Sequence, residues 1–130
     1  MFNALHTLCM AEYNLETRTQ AFAHAVRMYA RRIRLTPVII ADVQQLIRAA
    51  GSVGANYIEA NECLGKKDFH MRLRIVRKEA KESLYWLSIL KVPELSFLEE
   101  ERARLANEAL QLVRIFSSII HRLAPASVKK

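Results

Sequence analysis

The sequence predicts an all-α protein, an antiparallel up-down-up-down four-helix bundle that assembles as a homo-oligomer. Three observations carry that reading. Apolar residues recur at spacings of three and four along four segments, and no stretch alternates at period two for long enough to make a strand. The segments are separated by only a few residues, which drives consecutive helices to run in opposite directions. A chain of 130 residues and 15.0 kDa buries roughly two-thirds of its unfolded surface, enough for one core. With 52% hydrophobic residues, three Gly and three Pro, the composition excludes a disordered chain, a collagen and a loop-rich disulfide scaffold. Its uncharged runs fall short of the roughly 20 residues that a membrane span needs.

The first helix is expected to open at Asn14 as N-cap, with Glu16 in the first turn at the positive end of the helix dipole. Its apolar stripe is Leu15, Phe22, Val26, Tyr29 and Ile33. Thr36 and Pro37 then read as a cap followed by proline at the first helical position, opening a second helix that runs to about Asn61. Ile39, Val43, Leu46, Ile47, Ala50, Val53, Tyr57 and Ile58 form its stripe. Small residues Ala49, Gly51, Ser52, Gly54 and Ala55 crowd its middle, where each glycine costs roughly 1 kcal/mol. That cost points to close approach of another helix, with a local bend as the alternative.

After Gly65, a third helix is expected from about Lys66 to Lys91, with Phe69, Leu73, Val76, Ala80, Leu84 and Leu87 on one face and Pro93 as its stop. Ser96 and Glu99 form the S-x-x-E pattern of a capping box. Leu98, Leu105, Ala109, Leu112, Phe116, Ile119 and Leu123 follow as the clearest stripe in the chain. Residues 1–13 read as a poorly ordered leader, with Met10 an alternative natural start, residues 14–123 as one bundle domain, and residues 124–130 as a solvated tail.

Twenty Lys and Arg against 13 Asp and Glu give a net charge of +7, which points to an anionic partner, nucleic acid first. Cys9 and Cys63 have neither zinc nor redox-motif spacing and no typical secretory signal precedes them. They read as free thiols of a cytoplasmic protein.

On a wheel of 100° per residue with Phe69 at zero, Lys67, Arg74, Arg77, Lys78 and Lys81 fall between about 80° and 180°. Met71, Ile75, Trp86 and Ile89 fall on the opposite flank, beside Glu79 and Glu82. Such an apolar seam outside the core stripe predicts a subunit interface, unless a wide core absorbs it. Arg27, Arg31 and Arg34 stand at i, i+4 and i+7 on the first helix, away from its stripe. These eight cations are the candidate nucleic-acid contacts, and a merely solvated face is their alternative. Phosphate contacts release counterions, so such binding is tolerant of sequence and steeply dependent on salt. No zinc finger, RNP-type aromatic motif or phosphate-cradling glycine loop accompanies them.

Other chemistries find little support. Glu59, Glu62, Glu79 and Glu82 invite a di-metal reading, but no histidine lies three residues after a glutamate. No metal or other cofactor is therefore expected. Asn56, Glu59 and Glu62 share one side of the second helix and are expected to be structural, bonding basic residues of a neighbouring helix or subunit. Ser52, Cys63 and Ser83 lack an activating context, and His24, His70 and His121 stand singly on different helices. No catalytic residue is assigned.

Four blocks carry a resemblance. They are Tyr13-Asn14-Leu15-Glu16-x-Arg18-Thr19, the segment from Gly54 to Glu62 reading GANYIEANE, Lys66-Lys67-Asp68-Phe69, and Lys78-Glu79-Ala80-Lys81-Glu82 followed by Tyr85-Trp86-Leu87. They closely resemble the four-helix bundle family that includes the 23S rRNA intervening-sequence proteins, over about Tyr13 to Leu123. The resemblance implies an antiparallel bundle in a ring-like homopentamer. The accessory protein of diversity-generating retroelements is similar at a greater distance, which implies a basic pentamer binding a reverse transcriptase and nucleic acid. Neither resemblance implies a catalytic residue.

The expected function is thus a non-enzymatic, homo-oligomeric basic bundle that binds RNA or DNA backbone, as a scaffold for a nucleic-acid enzyme. The alternative is a protein-interaction scaffold whose basic surface docks an acidic protein.

Overall fold

The computed structural model describes residues 14–125. It holds four long helices and, among the described residues, no strand. They are α1 (Leu15–Arg32), α2 (Pro37–Asn61), α3 (Lys66–Ile89) and α4 (Glu99–Leu123), with a 3-10 helix at Pro93–Leu98 before α4. The expected leader at 1–13, with Cys9 and the alternative start at Met10, lies outside the described residues, as does the tail beyond Pro125. None of the described helices is long and apolar enough to cross a membrane.

The stripes converge on one core, making a helical bundle. Leu15, Phe22, Val26 and Tyr29 from α1 meet Leu46, Val53 and Tyr57 from α2, Leu73, Val76 and Leu87 from α3, and Leu112, Phe116 and Ile119 from α4. Each such side chain, fully withdrawn from water, contributes about 1.5–3 kcal/mol. Tyr57 and Phe116 pack with ring centroids 5.4 Å apart and planes tilted by 58°. Ile58, expected on the α2 stripe, is instead 51% exposed. One step of 100° from Tyr57 carries it out of the core sector.

Helix ends explain where each element starts. Thr36 adopts an extended backbone and its Oγ1 accepts from the Ile39 N–H at 3.3 Å, with Pro37 at the first position of α2. Asn14 does not cap as expected. Its φ of 47° and ψ of 54° place it in the left-handed region, so its carbonyl accepts from the Arg18 N–H at 3.0 Å while its side chain makes no cap bond. The Ser96–Glu99 capping box is not formed either. Pro93 opens a 3-10 turn in place of a bare stop, Ser96 is inside that turn, and Leu98 occupies the N-cap place of α4 without a side-chain bond. Leu95 and Leu98 are buried there, so apolar closure of the bundle end takes precedence over the hydroxyl cap.

Close approach at the small-residue stretch of α2 is real at Gly54, where an added Cβ would lie 3.0 Å from Thr19 Oγ1 and 3.3 Å from Thr19 Cβ. At Gly51 the neighbour is only the flexible Arg27 guanidinium, at 3.5 Å. Polar ties then link the helices in a consistent order. Asn61, at the end of α2, donates to Glu16 at the start of α1 at 2.7 Å. Arg32, at the end of α1, pairs with Glu101 at the start of α4, and Arg18 grips Glu108 with both Nε and Nη2 at 2.8 Å. Buried Arg102 of α4 donates to the carbonyl of Leu87 at 3.1 Å and to both oxygens of Glu99. Its hydrogen bonds hold the Glu99 carboxyl below the usual carboxylate range.

Candidate nucleic-acid interface

The outer face of α3 is built by helical spacing alone. Lys67, Arg74, Lys78 and Lys81 are exposed and Arg77 is half-buried. Together with His70, Met71 and Ile75 they line one open groove of about 630 Å³ along the helix. The structure therefore corrects the expectation that the cations and the apolar seam lie on opposite flanks. Met71 and Ile75 are only about 20° and 60° around the helix from Lys78, close enough for long side chains to share a concavity. His70 belongs to the same surface, and its Nε2 is buried without a hydrogen-bond partner among the described residues.

The seam divides. Met71 is 55% and Ile89 40% exposed, whereas Ile75 and Trp86 are half-buried. Trp86 packs against the core and its Nε1 donates to Glu82 Oε2 at 3.3 Å. It therefore does have a core to enter, and is partly covered there. Trp86 in turn steadies its neighbour Tyr85, edge-on at 5.0 Å between ring centroids. Tyr85 is 56% exposed. At about 160° on the wheel it stands between Arg74 and Lys78, one turn beyond Lys81. Tyr85 lies outside the expected cation set, although its wheel angle alone sets it among those residues.

The α1 cations lie elsewhere. Arg27 and Arg31 rim a second groove of about 360 Å³ between α1 and α2, floored by Ala30, Leu35, Ile40, Val43 and Ile47. Arg34 is exposed beyond the end of α1. Since α1 and α3 each pack chiefly against α2 and α4, the two cationic faces belong to different corners of the bundle.

Ion pairing distinguishes these residues from six of the other arginines. Arg18, Arg32, Arg48, Arg72, Arg102 and Arg104 pair with carboxylates. None of Arg27, Arg31, Arg34, Lys67, Arg74, Arg77, Lys78 and Lys81 has a carboxylate partner among the described residues. Arg27 and Arg31 reach only the Ala23 carbonyl and the Met28 sulfur, at 3.4 and 3.8 Å.

Three of the four carboxylates that invite a di-metal reading, Glu59, Glu79 and Glu82, pair instead with arginines of a neighbouring helix. Arg48 of α2 bridges Glu79 and Glu82 of α3. Arg72 of α3 reaches Glu59 at 3.1 Å and Asn56 Oδ1 at 3.2 Å on α2. Asn56 and Glu59 thus bond a neighbouring helix. Glu62 is exposed and takes no part in that link. Ser52, Ser83 and Cys63 each donate to the carbonyl one turn back, those of Arg48, Glu79 and Glu59.

Comparison with known proteins places this geometry. A family model described as the 23S rRNA-intervening sequence protein matches residues 14–122. The chain is also similar to a crystal structure from Bacteroides thetaiotaomicron VPI-5482, described as a protein of unknown function from the S23 ribosomal protein family. That similarity has a TM-score of 0.65 and 26% identity, covering 81% of this chain and 96% of the other. No curated protein matches. With a family model matching nearly the whole described segment and a fold shared with a solved relative, the chain belongs to the 23S rRNA-intervening sequence protein family.

Proposed function

We propose that this protein is a non-enzymatic, cytoplasmic, homo-oligomeric bundle that binds RNA or DNA through its phosphate backbone, as a scaffold for a nucleic-acid enzyme. One observation carries the reading: all eight exposed or half-buried candidate cations lack a carboxylate partner among the described residues, while six other arginines have one. Charges left unpaired at a surface retain their potential for an external polyanion. The antiparallel up-down-up-down arrangement within this proposal is supported by the ties that join the end of α1 to the start of α4 and the end of α2 to the start of α1. Assembly is supported by Met71 and Ile89, large apolar side chains left open beside the cations. Pentameric number rests on the family resemblance.

Filter binding to a structured RNA at 50 and 200 mM salt tests the reading. Five phosphate contacts along α3 lower the affinity by about 100-fold across that interval. An affinity unchanged by salt removes the electrostatic mechanism. A second reading, a scaffold for an acidic protein, is favoured by the apolar α1–α2 groove with Arg27 and Arg31 at its rim. Co-purification with a protein and not with nucleic acid, after nuclease treatment, selects it.

A further inference from the structure

We infer that the α3 face takes unpaired nucleotides, with one base stacked on Tyr85 and the adjoining phosphates held by Lys81, Lys78 and Arg74; this deepens the nucleic-acid reading and rests on it. Tyr85 is a large aromatic side chain that the fold leaves more than half exposed, at 56%. No hydrogen bond holds its hydroxyl among the described residues, so the ring is positioned by the edge contact with Trp86. Trp86 is anchored by the core and by Glu82. The ring is therefore preorganised, which lowers the ordering cost of stacking against it.

Its place along the helix gives the ring a ligand class. Lys81 stands one turn before Tyr85, about 6 Å along the axis, with Lys78 and Arg74 further along the same sector. A row of unpaired cations ending in an exposed aromatic is the combination that holds single strands, in which cations track the backbone and an aromatic face receives a base. Within a duplex the base faces are covered by their neighbours, so an interior base pair has no free face for the ring. Stacking tolerates any base, which suits a surface without a base-reading motif.

The test measures affinity for a twelve-nucleotide oligouridine, the corresponding oligodeoxyuridine, and a blunt duplex of the same length. Tyr85→Ala is expected to weaken binding of the single-stranded probes by about fivefold or more and to leave the duplex within about twofold. Tyr85→Phe, which keeps the ring, retains wild-type affinity. Equal loss for oligouridine and oligodeoxyuridine assigns recognition to base and phosphate, and a loss confined to one sugar assigns it to RNA or to DNA. The inference is overturned if Tyr85→Ala binds single strands as wild type does, or if it weakens duplex equally. It is also overturned if the variant's solution mass falls, which would make the ring a subunit contact. Salt-independent binding by the wild-type protein defeats the underlying reading instead, so the two failures are distinguishable.

Discussion

The two flanks of α3 carry the same kinds of residue and use them differently. On the flank toward α2, Arg72 meets Glu59 and Asn56, while Glu79 and Glu82 receive Arg48, so every charge in that set has a partner on the neighbouring helix. On the outer flank, Lys67, Arg74, Arg77, Lys78 and Lys81 share a groove with no carboxylate among its lining residues. A single helix thus joins the bundle with one side and offers a cationic surface with the other. Basic composition alone cannot distinguish these roles. The partner does, and carboxylate partners are available on the flank that meets α2.

Between the flanks runs the strip of Met71 and Ile89, and the largest expected effect follows from breaking it. Replacing both with Glu in one variant introduces charge where the proposal buries apolar surface between subunits, and light scattering is expected to fall to the 15.0 kDa chain. Because both side chains are well exposed in the single chain, helicity by circular dichroism stays at the wild-type level. An unchanged mass places the interface elsewhere.

A smaller effect separates the flanks directly. Removing Arg48 and Arg72 together by alanine substitution costs about 1 kcal/mol of folding stability, since both guanidinium groups are partly exposed and such pairs are weak. RNA affinity changes by less than about twofold, because these charges are already neutralised within the bundle. A large loss of RNA affinity would show that the paired flank is also part of the binding surface.

The smallest effect is on pH dependence. Burial pushes the Tyr29 hydroxyl up to about 12, against an attractive Arg102 and assisted by Glu99 and Glu101. Its folded state therefore holds the proton more tightly than the unfolded chain does. The stability linked to Tyr29 is full below about pH 10, the ordinary tyrosine value, and is lost as pH rises towards 12. Tyr29→Phe removes that part of the alkaline decline in urea midpoint, and because the hydroxyl is buried without a partner among the described residues it does so without lowering stability at neutral pH. Identical alkaline profiles for variant and wild type would contradict the assignment.

Much of the fold is legible in the sequence because periodicity reports the core directly. The stripes of α1 and α4, the Thr36–Pro37 start and the end of α2 at Asn61 all follow from it. Helix starts are less legible, since cap-forming residue types admit other backbones: Asn14 takes the left-handed conformation, and Ser96 yields to a 3-10 turn that buries Leu95 and Leu98. At the candidate site, the wheel places the five α3 cations on one face, but a single-helix wheel carries no information about neighbours. It does not show that Trp86 packs against the core, although the same angles do set Met71, Ile75 and Tyr85 beside the cations. Nor could it tell Arg72, which is paired, from Arg74, which is not.

The most direct measurement compares the salt dependence of RNA binding for the wild-type protein with that of a variant in which Lys67, Arg74, Arg77, Lys78 and Lys81 are all replaced by glutamine. The outer α3 flank as the polyanion surface predicts that log affinity against log salt loses most of its slope, by about 3.5 for five contacts to a single strand, with helicity and melting temperature unchanged. A variant that keeps the wild-type slope contradicts it.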